Sequence, residues 1–134
     1  MKQNAFFFLI VILFSFSCST DDGDSQDSQI QINPPSWIQG TWLIENTVTN
    51  GSGFRFTTND VILLQPALEI SQRGQLEIFI GSGQDVSTNE EFSEDTYKLT
   101  SNFPAGQTTV FSFTRVSETE ITWNAIGNGV YTKQ

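Results

Sequence analysis

In short runs between Trp42 and Ala125, apolar side chains recur at every second position, and this alternation constrains the fold more than any other feature. Trp42 and Ile44 alternate with Leu43 and Glu45, Phe54 and Phe56 flank Arg55, and Leu68 and Ile70 flank Glu69. Leu76, Ile78 and Ile80 alternate with Glu77 and Phe79, then Phe111 and Phe113 with Ser112 and Thr114. Ile121, Trp123 and Ala125 complete the series. A period of two puts one set of side chains on one face of a strand and the other set on the opposite face. Asn50-Gly51, Asn59-Asp60, Arg73-Gly74, Pro104-Ala105-Gly106 and Gly127-Asn128-Gly129 punctuate the runs as turns. No run of helical period reaches the roughly 12 residues an independent helix wants. The polar stretch from Gly81 to Asp95 reads as one long loop.

The expected domain is therefore all-β and covers residues 36–134. Eight antiparallel strands of about six residues fit that length as an up-and-down barrel. A two-sheet sandwich has the same alternation, and periodicity does not separate the two. The inward set of the barrel includes Trp42, Ile44, Phe54, Phe56, Leu76, Ile78, Phe111, Phe113, Ile121 and Trp123. Asn46 falls between inward Ile44 and Val48, near the rim.

The chain begins differently. Lys2 precedes an apolar run from Ala5 to Phe16, broken only by Ser15, and small residues lead to Cys18. This is the order of a secretory signal. As a helix the run reaches roughly 18 Å, short of the about 30 Å of a hydrocarbon core. Cys18 is the single cysteine, which excludes an intramolecular disulfide. Ser15-Phe16-Ser17-Cys18 resembles a lipobox, with Ser15 where Leu is usual, and that resemblance implies acylation of Cys18 (palmitate among the acyl groups) after removal of residues 1–17. Residues 18–35 read as a disordered acidic tether, rich in Ser, Asp and Gln and ending in Asn33-Pro34-Pro35. Thr20-Asp21-Asp22-Gly23-Asp24 resembles the acidic signal of surface-displayed Bacteroidetes lipoproteins. The expected location is the bacterial outer membrane, lipid-anchored, with display at the cell surface as one option.

Charge and composition exclude several functions. The net charge is −9, and from Ser36 onward eleven acids face five bases. Nucleic acid is a poor partner for such a surface. Attachment to membrane falls to the acyl anchor rather than to basic residues. The chain has no histidine, so the commonest general base and metal ligand is missing. Glu90, Glu91, Glu94 and Asp95 cluster, but in a polar stretch that does not hold two carboxylates at a set separation. The expectation is no catalysis, no metal and no cofactor.

Ser36-Trp37-Ile38-Gln39-Gly40-Thr41-Trp42 carries a second resemblance. Gly40-Thr41-Trp42 resembles the Gly-X-Trp motif that opens lipocalins, and the domain is similar to the lipocalin-like domains of Bacteroidetes lipoproteins. The resemblance implies that Gly40 and Trp42 close the barrel floor and that a late basic residue packs over Trp42. Arg115 is the first candidate for that role and Lys133 the second. A Thr-Asp-Tyr second motif and a C-terminal helix pattern are missing, which bears on the depth of any ligand cavity.

Two functional readings follow. In the first, the barrel binds a small hydrophobic ligand among Phe54, Phe56, Phe111 and Phe113, with Arg115 meeting a fatty-acid-like carboxylate. In the second, the same rings fill the barrel, and the protein is a structural lipoprotein docking on an envelope protein complex or a surface glycan. Phe79, outward by alternation, and Trp37 at the domain edge belong to the second reading.

Overall fold

In the computed structural model, the described residues are 30–44, 51–125 and 127–134. The leader, Cys18, the tether up to residue 29, Asn46 and Val48 lie outside them. Among the described residues there are nine strands: β1 (Gly40–Ile44), β2 (Gly53–Phe56), β3 (Val61–Gln65), β4 (Leu68–Ser71), β5 (Ser87–Phe92), β6 (Thr96–Asn102), β7 (Thr108–Arg115), β8 (Glu120–Trp123) and β9 (Gly129–Lys133). One helix, α1 (Gln72–Gly81), separates β4 from β5. The domain is all-β apart from that helix and a short 3-10 turn at Pro104–Gly106.

The strands form one antiparallel sheet in the order β4-β3-β2-β1-β9-β8-β7-β6-β5. First and last strands are neighbours, with Trp42 opposite Lys133 and Ile44 opposite Tyr131. The sheet curls strongly. Strands β2 and β6 are five positions apart, about 24 Å on a flat sheet, yet the rings of Phe56 and Tyr97 lie 6.0 Å apart. Curling stops short of closure, because β4 and β5 do not pair. The expected eight-stranded closed barrel is thus replaced by a nine-stranded half-barrel.

Two departures from the alternation explain the difference. Leu76, Ile78 and Ile80 lie on α1 rather than on a strand, so Leu76 is buried while Ile78 is 69% exposed. Gln72 and Leu76 share a face at helical spacing, with Phe79 and Ile80 half-buried beyond them. A tertiary cap decides the matter. Ser71 Oγ accepts from Gly74 N at 2.8 Å, and the buried Asp60 carboxylate accepts from Arg73 N at 2.9 Å and from the Ser71 hydroxyl. Asp60 also accepts from Val61 N, so one carboxylate ties the β2–β3 turn to the start of the helix. The second departure is β5, a full strand within the stretch expected to be a loop. It pairs with β6 from Ser87 opposite Asn102 to Phe92 opposite Tyr97.

The described chain already packs on the sheet before Ser36. From Ile30 to Pro34 the chain alternates buried and exposed positions, with Ile30, Ile32 and Pro34 inward. Gln31 N donates to Thr88 Oγ1 at 2.8 Å and Asn33 N to Glu90 Oε1 at 2.7 Å, so this strap runs beside β5 in the same direction. Glu90 Oε1 accepts a second hydrogen bond, from the Tyr97 hydroxyl at 2.7 Å. Apolar content was sparse here, but two isoleucines at a spacing of two suffice to dock the strap. They join Leu76 of α1 in a single core.

All described core residues fall between Ile30 and Tyr131, so a chain starting at Ser19 is expected to unfold cooperatively in urea. A chain starting at Ser36 loses both isoleucines. Ile32→Ala in the longer chain should alone cost about 2–5 kcal/mol, and urea titration of the three chains measures it. Alkaline pH probes the same junction. Burial, then the bond to Glu90, holds the Tyr97 phenol well above its usual range, and burial also raises Tyr131. Below pH about 10 both states keep these phenols neutral; above it the unfolded chain releases protons that the folded one retains. Stability should therefore fall as pH rises past 10, by up to about 1.4 kcal/mol per pH unit for each phenol. Tyr97→Phe is expected to be less stable at pH 8 but to lose less between pH 8 and 11.

Candidate functional site

The four phenylalanines expected to line a ligand chamber do come together, but on one another. Phe54, Phe56 and Phe113 are almost fully buried and Phe111 is 5% exposed. Phe54 meets Phe113 edge-on at 4.8 Å and Trp123 at 5.0 Å, and Phe56 meets Phe113 at 5.0 Å. Tyr131 closes against Phe54 at 5.2 Å. Edge-to-face contacts at these distances are favourable beyond simple burial. These rings occupy the space between the two halves of the curled sheet.

Arg115 is not among them. It ends β7, at the end of the half-barrel where β1 begins, and its guanidinium lies 5.7 Å over the ring of Trp37. Trp37, half-buried, donates its indole N–H to Ser93 O at 3.0 Å. The basic residue over Trp42 is Lys133, with its ammonium 5.2 Å from the ring centroid. Trp42 is fully buried and donates its indole N–H to Ile38 O at 2.6 Å. Gly40 has φ +125°, and a Cβ there would come within 3.0 Å of Lys133 Cε. The glycine thus supplies both the backbone conformation and the clearance for the lysine stem. This end of the sheet, the floor, carries two tryptophans, each under a cation.

An open groove of about 600 Å³ lies at the opposite end. One wall is α1, through Gln75, Ile78 and Phe79. The other wall is Phe103 with Gln107, Thr108 and Thr109 at the start of β7. Phe79 and Phe103 meet edge-on at 5.5 Å. The turn that delivers Phe103 is tight: Phe103 N bonds Gln107 O at 2.8 Å, and Ala105 adopts φ 61°. A left-handed alanine costs about 1–2 kcal/mol, so its surroundings hold this turn in place. Thr109 is six residues along β7 from Arg115, about 20 Å at strand rise.

Charge is kept away from this groove. Arg55 pairs with Glu69, Lys98 with Glu91, and Arg73 donates to Asn59 O at 2.8 Å. With Arg115 and Lys133 over the floor tryptophans, all five described cations have partners elsewhere. The acidic cluster is dispersed too. Glu90 receives Tyr97 and Asn33, Glu91 faces Lys98, and Glu94 and Asp95 are exposed in the β5–β6 turn. Among the described residues no group of three or more metal-ligating side chains comes together. The sequence does not reveal the groove residues, because the alternation places Ile78 and Phe79 on a strand and Phe103 stands alone beside a turn. Comparison of the chain with protein-family models, with curated proteins and with solved structures gives no match.

Proposed function

We propose that this protein is a lipid-anchored, lipocalin-like lipoprotein of the bacterial outer membrane that binds a small, largely apolar ligand without catalysis. The observation that carries the reading is the groove between α1 and the start of β7. Its volume of about 600 Å³ lies within the range of small-molecule sites, and Ile78, Phe79 and Phe103 offer an apolar surface beside uncharged polar groups. The ligand occupies the mouth of the half-barrel, above the packed rings of Phe54, Phe56, Phe111 and Phe113. The lipocalin-like part of the reading draws support from the strand order, in which a simple meander brings β1 and β9 together. The Gly40-Thr41-Trp42 floor under Lys133 adds to it. Anchoring rests on Cys18 and its sequence setting.

A second reading, a structural module docking on an envelope partner, is favoured by the filled interior and by Phe92. That residue is 61% exposed on β5, at the edge of the sheet.

Native mass spectrometry on the chain starting at Ser19, exposed to an envelope lipid extract, distinguishes the two readings. A discrete mass addition is expected, lost in Ile78→Asp. That substitution puts a charge into the groove at an exposed position where stability should change by no more than about 0.5 kcal/mol. A bare mass, while a control lipocalin stays loaded, overturns the ligand reading and leaves partner docking.

A further inference from the structure

The polar side chains of the groove are two glutamines and two threonines, and neither a carboxylate nor a cation lines it. From this we infer that, if the groove is the binding site proposed above, its ligand is a neutral amphiphile. Such a molecule has an apolar body and a hydroxyl, ester or amide head, and is neither a fatty-acid anion nor a cationic lipid.

The argument begins with hydrogen-bonding capacity. Gln75 and Gln107 each bring an amide and Thr109 a hydroxyl, groups that both donate and accept. The Thr108 hydroxyl donates to Asn102 Oδ1 at 3.2 Å and keeps its capacity to accept. Neutral hydroxyls and esters match that set. Ser101 stands opposite Thr109 in the β6–β7 ladder, and its hydroxyl is buried without a partner among the described residues. Ser101 is fully buried and outside the groove's lining, and it places no charge beside Thr109.

Electrostatics then sorts the heads. A carboxylate drawn into the groove gives up water and meets no cation, since the five described cations are committed elsewhere. Desolvation without a counter-charge opposes its entry. The net acidity of the domain opposes it further at low ionic strength. A cationic head gains only from that distant field, which salt screens beyond about 8 Å in physiological buffer. Apolar contact with Ile78, Phe79 and Phe103 is common to all three kinds of ligand, so the head group decides between them.

The test is isothermal titration of the chain starting at Ser19 with three ten-carbon probes at pH 8 and 0.15 M salt, below their micelle concentrations. The probes are 1-decanoylglycerol, decanoate and decyltrimethylammonium. The glyceride is expected to bind at least tenfold tighter than either charged probe. Thr109→Val, which keeps shape and removes one hydroxyl, should weaken the glyceride at least threefold and leave decanoate unchanged. Equal or tighter binding of decanoate or of the ammonium overturns the neutral-ligand inference while keeping the groove as a binding site. Silence from all three probes overturns the binding reading itself.

Discussion

A meander that curls without closing leaves two strand edges, and the junction at Glu90 is how this fold manages one of them. Strands β4 and β5 do not pair, so the core between them would meet water. Helix α1 covers the β3–β4 side, and the Ile30–Pro34 strap covers β5. Two inner positions of β5 are polar: Thr88 and Glu90 spend their side chains holding strap amides. Glu90 also receives the Tyr97 hydroxyl, so one carboxylate joins the strap, β5 and β6. A carboxylate accepting two short, charge-assisted bonds is well satisfied in a partly buried place. On the opposite side, Asp60 does comparable work for α1. Each cover is thus held to the sheet through an acidic side chain, and the isoleucines and Leu76 supply the apolar contact beneath.

Filling the interior follows from the same geometry. A half-barrel this small brings β2 against β6 and β7, and large rings meet across it. Phe54 touches rings from β2, β7, β8 and β9, which makes it the centre of the packing. Among the described residues, an open groove lies where the sheet is incomplete. That place is the mouth, where α1 stands off from the start of β7 and leaves the groove between Ile78 and Thr108. The helix that covers the seam also builds the wall of the site.

Sequence patterning made much of the sheet legible. Strands β1, β2, β7 and β8 were readable because each buries one face against the aromatic core, which forces strict alternation. Helix α1 was hidden because Leu76, Ile78 and Ile80 satisfy a period of two as well as part of a helical one. Only the long-range cap from Asp60 separates these readings, and its sequence distance from the helix conceals it. Strand β5 was hidden for the opposite reason: its inner residues bond a strap instead of packing in the core. Of the site, the four phenylalanines were legible as a cluster and not as a lining. Arg115 followed the inward parity of Phe111 and Phe113 but lies one strand-end beyond the core, where Trp37 meets it.

The distribution of charge gives the two ends of the half-barrel different chemistry. At the floor, a cation lies over each of Trp37 and Trp42, and both indole N–H groups donate to backbone carbonyls. That end is saturated and offers a ligand little. Along the outer face, Arg55 and Lys98 are matched with Glu69 and Glu91, exposed pairs worth little to stability but sufficient to occupy both cations. What remains at the mouth is an uncharged apolar wall edged by amides and hydroxyls. For the proposed neutral ligand, selectivity there would rest on hydrogen bonding and fit and be correspondingly insensitive to salt. On the reading proposed above, such a groove would discriminate among neutral molecules by the shape of their apolar part, where Phe79 and Phe103 stand.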